Sequence, residues 1–225
     1  MRPTATMSVV VAAVLAALVG CGSGSEPLTN PSPRLTTDPP ATEAPAGTEL
    51  LAAANRALVA LADEDYPALA ALVSPTENLL FSPYAWVEDG AVRLTRAQVA
   101  ALGTSSQVFT WGTQDGSGRP LTMTFAAYRD QFVWPRDYTT APGVAINEHV
   151  VTGNTIANTA EFFGPTASWV EYSFPATEVP QDGDVDWENL VGPPPGYDWS
   201  ALRLVLRDTA DGYQLIGVVH DAWTI

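Results

Sequence analysis

Leu51, Ala54, Leu58 and Leu61 recur at helical spacing while Asn55 and Arg56 fall off that stripe, which predicts an amphipathic helix from about residue 49. Asp63-Glu64-Asp65 ends it. Asp65 is placed to cap a second helix, with Pro67 tolerated in the first turn and Leu69, Leu72 and Val73 on its apolar side. Ser74-Pro75-Thr76-Glu77 carries another start signal, but Leu79-Leu80-Phe81 already reads as a strand, so only a short turn is expected there. Beyond this point the pattern is mostly that of strands, at residues 79–87, 108–113, 121–123, 144–151 and 168–174. Asp115-Gly116-Ser117-Gly118 is a hairpin signal. Two short helices interrupt the strands. One covers residues 95–102, with Thr95 and Gln98 at capping-box spacing. The other runs from Thr124, a cap, through Phe125, Tyr128, Phe132 and Val133, and Trp134-Pro135 stops it. In the last hairpin Leu202, Leu204 and Leu206 alternate with Arg203 and Val205, Asp211-Gly212 turns the chain, and residues 213–222 return.

Helices first and antiparallel strands after them predict an α+β fold, with the N-terminal helices packed on one face of a sheet. Ile216-Gly217-Val218-Val219 is apolar on both faces, so the second face must also be covered. Sheet curvature, a loop or another chain would each serve. No internal repeat is present.

The amino terminus follows a different pattern. Residues 7–19 are uncharged and apolar, the length of a secretory signal rather than of a spanning helix. Leu18-Val19-Gly20-Cys21 at its end resembles the bacterial lipobox. That resemblance implies cleavage before Cys21 and a diacylglyceryl group on its sulfur. An ordinary secretory signal with an incidental cysteine is the other reading. Residues 22–48 are rich in Pro, Thr and Ser, including Pro27, Pro31, Pro33, Pro39, Pro40 and Pro45, and offer little to bury. Such a tether spans roughly 30 Å as a coil and up to about 80 Å as polyproline II. The expected organisation is a signal peptide at 1–20, a lipidated Cys21 with a disordered tether at 21–48, and one α+β domain at 49–225. The expected address is the outer face of the cytoplasmic membrane, held through the lipid on Cys21.

The formal net charge of −15 disfavours nucleic acid and anionic headgroups as partners. Hydrophobic residues at 46% supply enough material for a core. Cys21 is the single cysteine, which rules out an internal disulfide and thiolate zinc sites.

The run Ala62-Asp63-Glu64-Asp65-Tyr66-Pro67-Ala68-Leu69-Ala70-Ala71-Leu72-Val73 resembles the opening of the NTF2-like superfamily, where an amphipathic helix ends in an acidic residue and an aromatic, and a second helix follows. The resemblance implies a curved antiparallel sheet folded into a cone. That superfamily holds isomerases, dehydratases, cyclases and binding modules, so the fold alone selects no activity. Phe81-Ser82-Pro83-Tyr84, Thr110-Trp111-Gly112 ahead of the Asp115 turn, and the closing Gly217-Val218-Val219-His220-Asp221-Ala222-Trp223-Thr224-Ile225 are similar to uncharacterised secreted bacterial proteins, which transfers no function.

Candidate chemistry is sparse. Asp182, Asp184 and Asp186 alternate as at the start of a calcium loop, but Trp187 stands where glycine is required and Pro193 where the bidentate glutamate belongs. An EF-hand is excluded, leaving a solvated acidic loop or a looser cation site. His220 precedes Asp221, and neighbours on a strand point to opposite faces, so Asp221 is badly placed to orient it. Ile216 and Val218 are expected on the face of His220. A general base there would need Glu171, Tyr172 or Asp115 within reach. A packed histidine bonded to backbone is the other reading. His149 is the one further histidine, too little for a metal site without thiolates. Asn147, Glu148, Asn154 and Asn158 read as a strand end and loop. No Gly-x-Ser-x-Gly elbow in the domain, phosphate loop or dinucleotide fingerprint occurs, so no cofactor and no metal are expected. Among the seven tryptophans, Trp86, Trp111 and Trp223 are candidates to line a ligand pocket. Two functions follow as expectations: a non-enzymatic domain that binds a small molecule or an envelope protein, and an NTF2-like enzyme using His220 for proton transfer.

Overall fold

The computed structural model describes residues 46–151, 156–178 and 192–224. The signal, Cys21 and most of the tether lie outside the described residues, as do the acidic run at 182–186, Trp187 and Asn154. Helix α1 spans Ala46–Ala62 and so begins slightly ahead of the expected start. Leu50, Ala53, Ala54, Ala57, Leu58 and Leu61 are buried, and the alanines let the helix lie close to the sheet. Asn55 on its exposed side accepts a hydrogen bond from the Tyr172 hydroxyl at 2.7 Å, which ties the helix to the sheet. Helix α2, Tyr66–Leu72, starts as its sequence dictates. The Asp65 carboxylate accepts from the Ala68 N–H at 2.9 Å and proline occupies the first turn.

The remaining elements in chain order are β1 (Leu79–Ser82), β2 (Arg93–Leu94), α3 (Arg96–Ala100), β3 (Val108–Thr113), β4 (Pro120–Thr124), α4 (Phe125–Tyr128), β5 (Gly143–Ile146), α5 (Thr159–Phe163), β6 (Ala167–Phe174), β7 (Ser200–Arg207) and β8 (Gln214–Ala222). Helix α3 carries the expected capping box, and α4, capped by Thr124, continues as a π-helical turn over Arg129–Val133. Strands β3 and β4 form a separate hairpin. The other six form a sheet ordered β2-β1-β8-β7-β6-β5.

The strand pairing and two strand ends need correction. The sheet is not wholly antiparallel, because β1 pairs parallel with β8. A parallel neighbour needs a long connection rather than a tight turn, and nearly the whole domain separates these two strands. The first strand stops at Ser82 instead of running to residue 87, since Pro83 offers no N–H to the ladder. The strand expected over 144–151 stops at Ile146, where Asn147 takes a positive φ of 56° and its side chain accepts from the Trp169 N–H. Strand β2 and helix α5 carried too few residues for a periodic signal and were not expected.

Both sheet faces are covered within this chain. Helices α1 and α2 and the aromatic side chains of α4 and β3 pack on one face against Leu79, Phe81, Val170, Tyr172, Leu202, Leu204, Leu206, Leu215 and Val218. Phe163 of α5 and Val87 of the loop after β1 cover Leu80, Trp169, Val205, Ile216 and Val219 on the other. A bulge on β8, where Ile216 is the extra residue opposite Val205 and Leu206 of β7, shifts the register of the two strands. It places Leu215 and Val218 on the helix-covered face and Ile216 on the opposite one. The expectation that Ile216 and Val218 share a face therefore fails, because one extra residue breaks the alternation.

Candidate functional site

His220 follows Val218 on the helix-covered face and is buried opposite Leu202. Its Nδ1 lies 3.1 Å from the Pro83 carbonyl oxygen. A carbonyl only accepts, so Nδ1 carries the hydrogen and Nε2 is the bare nitrogen of the neutral ring. The Phe132 ring stands edge-on at 5.9 Å. Burial pushes the His220 pKa down to about 4, against the opposing effect of the Pro83 bond and with help from the Arg203 charge. At neutral pH the ring is an uncharged, packed side chain.

The proposed partners of His220 lie elsewhere. Tyr172 shares its face but bonds Asn55. Asp115 sits in the exposed β3–β4 turn, where its carboxylate accepts from the Gly116 N–H at 2.9 Å and from the Thr224 hydroxyl. Glu171 is on the opposite face of the sheet, paired through Oε2 with Arg203 Nε at 2.8 Å. Arg203 also donates through Nη2 to Asp221 Oδ2 at 2.8 Å. All three side chains are buried. Glu171 Oε1 accepts from the backbone N–H groups of Val150 and Val151 at 3.0 and 3.1 Å. His149 stacks on Trp169 with 5.1 Å between ring centroids and brings Nδ1 within 3.7 Å of Glu171. Burial alone would raise the Glu171 pKa; His149, Arg203 and the backbone donors together hold it below the usual value. Burial raises that of Asp221 despite Arg203. This cluster staples residues 147–151 across the sheet.

The accessible chemistry lies in the segment between β1 and β2. Ala85 and Val87 are buried and fix the intervening Trp86 outward, where it is 50% exposed. The Asn158 side chain clamps Val87, accepting from its N–H at 2.7 Å and donating to its carbonyl at 3.1 Å. Trp86 thus forms a wall shared by two open clefts. One, of about 300 Å³, is lined by Tyr84, Glu88, Thr113, Gln114 and Asp115. The other, of about 460 Å³, is lined by Asp89, Arg93, Asn158, Glu161 and Phe162, and Glu88 borders both. His220 lines neither. Thr113 donates to Glu88 at 3.1 Å, and the Tyr84 hydroxyl accepts from the Asp115 N–H at 3.2 Å, so the β3–β4 turn and the loop bearing Trp86 are joined across the first cleft.

Of the three tryptophans read as pocket candidates, only Trp86 presents an open aromatic face. Trp111 belongs to the core, which corrects that expectation: it is fully buried, stacks on Tyr128 at 4.0 Å, and donates its indole N–H to the Met123 carbonyl at 3.0 Å. Trp223 packs on Tyr197 at 5.1 Å. The contributions of Glu88 and Arg203 went unread in the sequence. Arg203 carried a signal: a charge inside a strand apolar on both faces needs a buried partner.

No protein-family model matches the sequence, and no curated relative matches it. Similar solved structures include an NTF2-like protein with a cystatin-like fold from Novosphingobium aromaticivorans, at 11% identity over 79% of this chain and 81% of that one, with a TM-score of 0.35. A ketosteroid isomerase-like protein from Erwinia carotovora atroseptica is 14% identical over 78% of this chain and 94% of that one, with a TM-score of 0.32. An NTF2-like protein of unknown function from Shewanella oneidensis is 11% identical over 78% and 98%, with a TM-score of 0.31. Likeness at this level transfers no activity and no substrate.

Proposed function

We propose that this chain is a cell-envelope lipoprotein, anchored through Cys21, whose domain is a non-enzymatic binding module of NTF2-like type that engages its ligand or partner at Trp86. The carrying observation is the contrast between Trp86 and His220. A large aromatic face is held open to solvent between two clefts by buried neighbours on either side. The histidine that proton transfer would need is sealed, uncharged and bonded to backbone. An aromatic side chain has only two rotatable bonds and loses little entropy on binding, which favours a recognition role. The apolar segment at 7–19, the Leu18-Val19-Gly20-Cys21 sequence and the Pro-rich tether support display at the membrane surface.

Crosslinking in intact cells, followed by capture of the protein, tests the binding surface. Trp86→Ala removes a half-exposed side chain and leaves the core intact. The wild type is expected to retain a crosslinked species that the variant loses. Equal capture by both removes Trp86 from the reading.

A further inference from the structure

We infer that the smaller cleft beside Trp86 selects an organic cation, an alkylammonium group in particular; this rests on the reading of Trp86 as the binding surface. The cleft combines two aromatic side chains, Trp86 and Tyr84, with two carboxylates, Glu88 and Asp115. Its volume of about 300 Å³ exceeds what a small ammonium group fills. The carboxylates are held in place: the Thr113 hydroxyl bonds Glu88, while the Gly116 N–H and the Thr224 hydroxyl bond Asp115. All these donors are neutral. Neither carboxylate enters an ion pair among the described residues, and no arginine lines this cleft. Arg93 lies in the other cleft, which Glu88 also borders, but its guanidinium lies over the Phe162 ring at 5.8 Å and forms no ion pair with Glu88. An aromatic face attracts a cation through its quadrupole, and an alkylammonium also gains apolar contact with the indole. Carboxylates beside that face add Coulomb attraction that a neutral ligand of equal shape does not receive.

The experiment is a titration of the full domain with tetramethylammonium chloride, with tert-butanol as the neutral control of similar size and sodium chloride as the control for ionic strength. The readout is the Trp86 indole N–H resonance, identified by its loss in Trp86→Ala. Tetramethylammonium is expected to shift that resonance saturably at millimolar concentration, at least about fivefold more tightly than tert-butanol. The Glu88→Gln/Asp115→Asn double variant is expected to lose that advantage. Asp208→Asn/Asp211→Asn, which removes the same charge from a distant exposed turn, is expected to keep it. No saturable shift overturns the inference. So does an equal response to tert-butanol, or an equal loss in the distant variant, which would mark attraction to net charge alone. A Trp86-dependent crosslink in cells together with any of these negative results leaves the binding surface standing and removes only its preference for cations.

Discussion

His220 and Asp221 are chain neighbours with opposite surroundings, because a strand turns successive side chains to opposite faces. His220 enters an aromatic core, and Asp221 enters the ionic cluster around Arg203. The folded pKa of His220, about 4, lies below the ordinary value of about 6.5, so the unfolded chain takes up the proton first. His220 therefore contributes its full stabilisation above pH ~6.5 and loses it as the pH falls through that value toward 4. The swing amounts to roughly 3 kcal/mol. Chemical denaturation of wild type and His220→Asn at pH 7 and pH 4 measures it, with the wild type expected to lose about that much more. Parallel losses would show that His220 is not buried neutral. That this histidine lacks Asp221 as a partner could be read from strand alternation alone. Its actual partner could not, because the Pro83 carbonyl lies far away in sequence.

Element packing turns on two positions in the hairpin of β7 and β8. A Cβ added at Gly217 would lie 2.7 Å from Phe163 Cζ, so α5 sits directly on the backbone of β8. Gly217→Ala is expected to destabilise the domain by about 1–3 kcal/mol through overpacking. Pairing it with Phe163→Leu is expected to recover part of the loss in thermal melts; additive losses would mean that the two residues do not touch. Arg203 is the second position. Arg203→Met leaves Glu171 and Asp221 buried without their cation and is expected to cost about 3–5 kcal/mol. A triple replacement of Glu171, Arg203 and Asp221 by apolar residues of similar volume is expected to be closer to wild type than the single variant, as measured by urea unfolding. A single variant as stable as wild type would contradict the ionic cluster.

On the scale of the whole molecule the predictions concern display. Cys21→Ala is expected to move the protein from the membrane to the soluble fraction, or to leave it uncleaved, and to remove the mass of the lipid. An unchanged fraction and mass would refute lipidation. Limited proteolysis is expected to cut within residues 22–48 and spare a fragment beginning near residue 46, where α1 starts. A resistant fragment that begins well inside the tether would show that this segment packs on the domain.

Local physics explains what the sequence determined. The Asp65 cap, the Thr95–Gln98 capping box, the Thr124 cap and the Asp211-Gly212 turn are each satisfied within a few residues, and each formed where the pattern placed it. Apolar positions on both faces of the last strand required a covered second face, and α5 with the loop after β1 provides that cover. Only the tertiary structure decided which tryptophan is open, since side-chain chemistry is the same in Trp86 and Trp111 and burial depends on distant neighbours. It also decided the parallel pairing of β1 with β8, because no turn links them and register is chosen by long-range packing. One inserted residue at the β7–β8 bulge parted Ile216 from Val218, and sequence alternation carries no record of such an insertion.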